Sequence, residues 1–155
     1  GPGGKYDNVR VGMNSRLDAL QAAVLDVKLT AFERDELTAV NRAAGWYGEA
    51  LAGLPLALPV VPEGFYSSWA QYTVRAADRQ TRDALQAALK ARGIPTMVYY
   101  PKPMHSQTAF RGVRQYVPCP NTEYLCGTVL SLPMHPYLDR ETVQTVAEAI
   151  RAHFA

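Results

Sequence analysis

The chain has 155 residues, 48% of them hydrophobic and 19% charged, with a formal net charge of +2 at pH 7. That length supports one domain with a real core, and the composition belongs to a folded globular protein rather than a disordered one. Charge this close to neutral argues against a nucleic-acid partner, and no apolar run reaches membrane-spanning length or forms a signal peptide, so a cytoplasmic location without membrane association is expected.

The leading Gly-Pro-Gly-Gly reads as a cloning remnant or a flexible leader, and with no core segment before the first element the chain reads as a piece of something longer. A helix is predicted over 15–29. Leu17, Leu20, Val24 and Val27 recur at helical spacing, and Ser15-x-x-Asp18 forms a capping pair ahead of them. Asn14, Arg16 and the upstream Arg10 are odd neighbours for a helix start, which carries partial positive charge and favours acids. Two readings stay open. The arginines are solvated, or the helix start faces an anion with Asn14 and Arg16 as donors. Thr30-x-x-Glu33 is a second capping candidate, so either two helices meet near Thr30 or one long helix bends there. Beyond it Glu36, Val40, Ala43, Tyr47 and Leu51 share a face.

Residues 53–62 carry three prolines counting Pro55 and Pro59, and predict an extended connector. Residues 67–76 alternate, with Trp69, Gln71, Thr73 and Arg75 on one side and Ala70, Tyr72, Val74 and Ala76 on the other, which predicts a strand with one face buried. The next helix takes Thr81 as its cap candidate, with Leu85, Ala88 and Leu89 as its stripe and Gly93 as its stop; Asp78 and Asp83 beside it read as capping rather than acid–base groups. A short strand over 94–100, a proline-rich loop over 101–120, a short helix over 121–126, a third strand over 128–133 and a final helix capped at Asp139 or Thr142 complete the order. The sum is an α+β fold: a small sheet of about three strands with helices mainly on one face.

Spacing alone names no chemistry. No serine sits in a G-x-S-x-G frame, and His105, His135 and His153 form no metal-ligand pattern with Cys119 and Cys126. The two cysteines read as reduced, buried structural thiols. Tyr99 and Tyr100, followed by Pro-Lys-Pro, place two hydroxyls and a cation on a rigid exit loop; a binding role and a packed role are equally open.

Four segments in order are more specific: KYDNVRVGMNSRLDALQAAVL, SSWAQYTVRA with RDALQAALKARGIPT, VYYPKPMHSQTAF, and VLSLPMHPYL. Together they resemble the C-terminal part of the DegT/StrS-type nucleotide-sugar aminotransferases, which use pyridoxal phosphate (PLP), and within that family they are most similar to enzymes that aminate a 3-keto sugar on UDP. The resemblance implies the C-terminal domain of a fold-type I aminotransferase: residues 1–10 a leader, in part tag-like, and 11–155 a small domain with its preceding long helical segment. It implies a homodimer in which Asn14 reaches the PLP phosphate of the neighbouring subunit, Arg16 lies near the sugar nucleotide, and Tyr99 and Tyr100 lie beside the substrate. Tyr99 stands where some members have histidine, which weakens recognition of a carboxylate on the sugar, because tyrosine offers no positive charge. The amino donor implied is glutamate. The family's catalytic lysine lies upstream in a large domain, and none of Lys5, Lys28, Lys90 or Lys102 has its sequence context. The chain is therefore expected to lack the catalytic domain, to contribute no catalytic residue or metal ligand, and to be inactive alone. The alternatives are a free-standing small-molecule binding or regulatory module, and an interaction protein.

Overall fold

The computed structural model describes residues 6–115 and 117–155. The first five residues of the expected leader and Tyr116 lie outside that range. Helix α1 (Ala19–Ala31), a π turn (Phe32–Glu36) and helix α2 (Leu37–Ala50) run on without a break, so one continuous helical run, rather than two helices meeting near Thr30, is observed. Thr30 lies inside α1 and caps nothing. The start of α1 also differs from expectation. Asp18, not Ser15, is the N-cap: its carboxylate accepts from the Gln21 backbone N–H at 2.7 Å. An aspartate at the cap position satisfies an orphan donor by itself, and the Ser15-x-x-Asp18 pattern only imitates a capping box.

The two halves of this helical run differ in burial. Glu36, Val40, Ala43, Tyr47 and Leu51 are all buried, on the face the sequence predicts. The stripe Leu17, Leu20, Val24 and Val27 is exposed, and no residue of α1 is buried.

Strands β1 (Tyr72–Arg75) and β2 (Val129–Leu132) pair antiparallel, with Tyr72 opposite Leu132 and Val74 opposite Leu130. The α+β class holds, but the sheet has two strands rather than about three: the strand expected over 94–100 is reduced to one bridge. Met97 and Ser131 exchange backbone bonds of 3.1 and 2.7 Å. Pro95 and Pro101 flank that bridge and have no N–H to extend a ladder. The first strand is shorter than predicted because Trp69 takes a φ of 46°, in the left-handed region, and breaks the extended run. Its indole N–H donates to Asn41 Oδ1 at 3.0 Å and its ring stacks on Tyr72, which holds that conformation.

Helices α3 (Arg79–Ala91), α4 (Pro120–Thr128) and α5 (Arg140–Phe154) complete the domain. Asp78 caps α3 by accepting from the Thr81 N–H at 2.7 Å, so Thr81 is the third helical residue and not the cap; Asp139 caps α5 through the Thr142 N–H in the same way. Gly93, at φ 74°, ends α3 in the conformation that favours glycine. The core joins Tyr47 and Leu51 of α2, Tyr72 and Val74 of β1, Leu85 and Leu89 of α3, and Val143 and Ile150 of α5. Among the described residues, no buried side-chain N or O lacks a hydrogen-bond partner.

Candidate functional site

The bridge at Met97 directs the chain into Tyr99 and Tyr100 at the edge of a cleft of about 660 Å³. Tyr99 is half-buried and Tyr100 exposed. A third ring, Tyr6, packs edge-on against both, with centroid distances of 6.1 Å to Tyr99 and 5.6 Å to Tyr100. Leu125 and Cys126 of α4 and Val129 of β2 form the apolar side. Burial pushes the Cys126 thiol up, which keeps it protonated and unreactive. Both cysteines are free, Cys126 buried and Cys119 half-buried.

Lys102, the cation of the Pro-Lys-Pro loop, also lines the cleft. It is not a free charge: its Nζ donates to Asp7 Oδ1 at 2.8 Å. The ammonium holds the Asp7 carboxyl below the usual carboxylate range, with help from the Thr108 hydroxyl at 3.3 Å. Gln107 is buried beneath this pair, in a loop where glutamine is ordinarily exposed. Tyr6, Asp7, Asn8 and Gln107 carry no role in the sequence reading. Asp7 and Asn8 reach Lys102 and Gln107 across 95 and 99 residues of sequence, and no local periodicity marks such contacts.

The cleft combines aromatic faces, hydroxyls and a neutralised ion pair. Such a surface suits a polyhydroxylated ring or a nucleobase, which stacks on tyrosine and exchanges hydrogen bonds with its hydroxyl. It offers less to a second carboxylate, because the nearby cation already has one.

Asn14 and Arg16 lie elsewhere. Neither lines the cleft; both are exposed on the segment before α1. They are joined to each other, with Arg16 Nε donating to Asn14 Oδ1 at 2.9 Å. Guanidinium has only donors, so this bond fixes the orientation of the Asn14 amide, with oxygen toward arginine and the NH₂ turned away. The remaining guanidinium N–H groups and that NH₂ make no further hydrogen bond among the described residues. These N–H groups are donors, which a phosphate oxygen can accept from. Among the described residues no group of three or more His, Cys, Asp or Glu could hold a metal ion, and no helix is long and apolar enough to cross a membrane.

The DegT/DnrJ/EryC1/StrS aminotransferase family matches residues 2–151. UDP-2-acetamido-2-deoxy-3-oxo-D-glucuronate aminotransferase of Pseudomonas aeruginosa is 39% identical over 146 residues, covering 94% of this chain and 39% of that protein. UDP-N-acetyl-3-dehydro-α-D-glucosamine 3-aminotransferase of Acidithiobacillus ferrooxidans is 42% identical over 150 residues, covering 94% of this chain and 38% of that protein. Among solved structures, a DegT/DnrJ/EryC1/StrS aminotransferase from Brucella abortus superposes with a TM-score of 0.79 at 44% identity, over 97% of this chain and 39% of that one. The chain thus spans about two fifths of the length of the proteins it matches.

Proposed function

The chain belongs to the DegT/DnrJ/EryC1/StrS aminotransferase family, and from that premise we propose that it is the C-terminal small domain, over 11–155, of a PLP-dependent enzyme that aminates a keto sugar carried on UDP. The observation that carries this reading is the cleft: three tyrosine rings and an ion-paired lysine, built on the segments that match the family. The Pseudomonas and Acidithiobacillus relatives are both named for UDP-linked 3-keto sugars, which favours UDP as the carrier.

In this reading Tyr99 and Tyr100 orient the sugar, with one ring face for packing and a hydroxyl for hydrogen bonding. Asn14 and Arg16 serve the neighbouring subunit of a homodimer: the Asn14 NH₂ holds the PLP phosphate, and the Arg16 guanidinium lies near the substrate diphosphate. PLP supplies the electron sink for moving an amino group, with glutamate as the donor. The lysine that carries PLP belongs to a large domain outside this sequence, and the isolated 155-residue chain does not transaminate.

The test is direct. The full-length protein, given PLP, L-glutamate and UDP-N-acetyl-3-dehydro-α-D-glucosamine, should release one 2-oxoglutarate per amino sugar formed. Binding of UDP-sugars without turnover under any amino donor would instead support a binding module.

A further inference from the structure

We infer that Gln107 is a positioning residue: its side-chain amide clasps the segment 6–8 to the loop 102–109 and so builds one wall of the tyrosine cleft. The observation is a buried amide with both ends committed. Gln107 is only 3% exposed; its Oε1 accepts from the Asn8 backbone N–H at 2.8 Å, and its Nε2 donates to the Lys102 carbonyl at 3.2 Å. One partner can only donate and the other can only accept, so the orientation of the amide is set by chemistry. Asn8 is held at its other end too, because its carbonyl accepts from the Ala109 N–H at 2.7 Å. The Asp7–Lys102 pair and the Thr108 hydroxyl fasten the same two segments on the outer side.

The consequence lies in what the clasp carries. Tyr6 stands immediately before the fastened residues, and its ring touches both Tyr99 and Tyr100. Asn14 follows Asn8 by six residues, a reach of at most about 20 Å for extended chain. The clasp therefore fixes the third aromatic wall and also limits how far the Asn14 and Arg16 donors can stray. No other side chain among the described residues bonds to both segments from a buried position. Substrate affinity, rather than the chemical step, should depend on it, a consequence that rests on the nucleotide-sugar reading.

The test uses the full-length protein with Gln107→Glu, Gln107→Ala and Asp7→Ala. Glutamate keeps an acceptor for Asn8 but loses the donor to Lys102 and sets a charge beneath a carbonyl. Hydrogen exchange at the Asn8 and Ala109 amides should speed up about tenfold in both Gln107 variants, the scale of one buried hydrogen bond lost. KM for UDP-N-acetyl-3-dehydro-α-D-glucosamine should rise about tenfold while kcat changes less than about threefold. Asp7→Ala, which loosens the same segment from the solvent side, should move both readouts in the same direction by less. Unchanged exchange in the Gln107 variants overturns the clasp. Faster exchange with KM unchanged overturns the positioning role in the cleft, and a fall in melting temperature with neither readout moved overturns both. If a Gln107 variant does not fold, Asp7→Ala decides, and unchanged exchange and KM there overturn the inference. Exchange needs no substrate, so a wild-type protein that turns over no sugar nucleotide contradicts the function while leaving the clasp measurable.

Discussion

Tyr47 donates its hydroxyl to the Pro133 carbonyl at 2.9 Å while its ring stacks on Tyr72, with 4.8 Å between centroids. This contact ties α2 to the exit of β2. Burial pushes the hydroxyls of both tyrosines upward, Tyr72 to about 12, so both stay neutral through the physiological range. Tyr47→Phe keeps the stack and removes the donor. It should cost about 0.5–1.5 kcal/mol, the net value of a neutral hydrogen bond. For a domain of this size that lowers Tm by roughly 1–6 °C, readable by calorimetry. An unchanged Tm would mean that the Pro133 carbonyl finds water instead.

The helix caps carry a pH dependence. Asp78 is held below its ordinary pKa by the Thr81 backbone N–H, and Asp139 by its bonds with Thr142. Each carboxylate binds protons less readily in the folded state, so its stabilisation is present above the unfolded pKa, near 4, and is lost as pH falls through the folded value. Asparagine caps comparably well without titrating. The double variant Asp78→Asn/Asp139→Asn should therefore lose less Tm than wild type between pH 6 and pH 3. Parallel profiles would show that other carboxylates, such as Asp7, dominate the acid limb.

Much of the fold is legible in the chain because its signals are local. Asp139 before α5, Gly93 after α3 and the inward Tyr72, Val74 and Ala76 all stand within a few residues of the feature they specify. The π turn at Phe32–Glu36 is not legible, since one extra residue in a turn leaves the apolar spacing almost intact. The start of α1 is misread because Ser15 and Asp18 stand at capping-box spacing while Asp18 alone makes the cap. Tyr99 and Tyr100 are legible as a pair, and the structure adds what no spacing announces. Tyr6 and Gln107 reach their partners across loops, where a contact leaves no periodic trace.

For the tyrosine pair, the expected outcome is kinetic. Tyr99→Phe or Tyr100→Phe in the full-length enzyme should lower kcat/KM for the sugar nucleotide by about 0.5–1.5 kcal/mol, up to roughly tenfold. Stability should change less, because Tyr100 is 58% exposed and its hydroxyl has no core to support. Unchanged kinetics in both variants would reduce the pair to packing.

We propose that Asn14 and Arg16, joined at 2.9 Å outside the cleft of their own chain, complete the active site of the neighbouring subunit. Mixed dimers test it most directly. One full-length variant lacks the catalytic lysine and the other carries Asn14→Ala and Arg16→Ala. Each homodimer should be nearly inactive, the second through loss of charge-assisted bonds worth about 1.5–3 kcal/mol each. In a mixed dimer both defects fall in one site and the other site is intact. Random pairing makes about half the dimers mixed, so co-refolding should restore activity to about a quarter of wild type. Differently tagged subunits report that mixed dimers have formed. If they form and activity stays at the level of the parents, Asn14 and Arg16 do not act across the dimer.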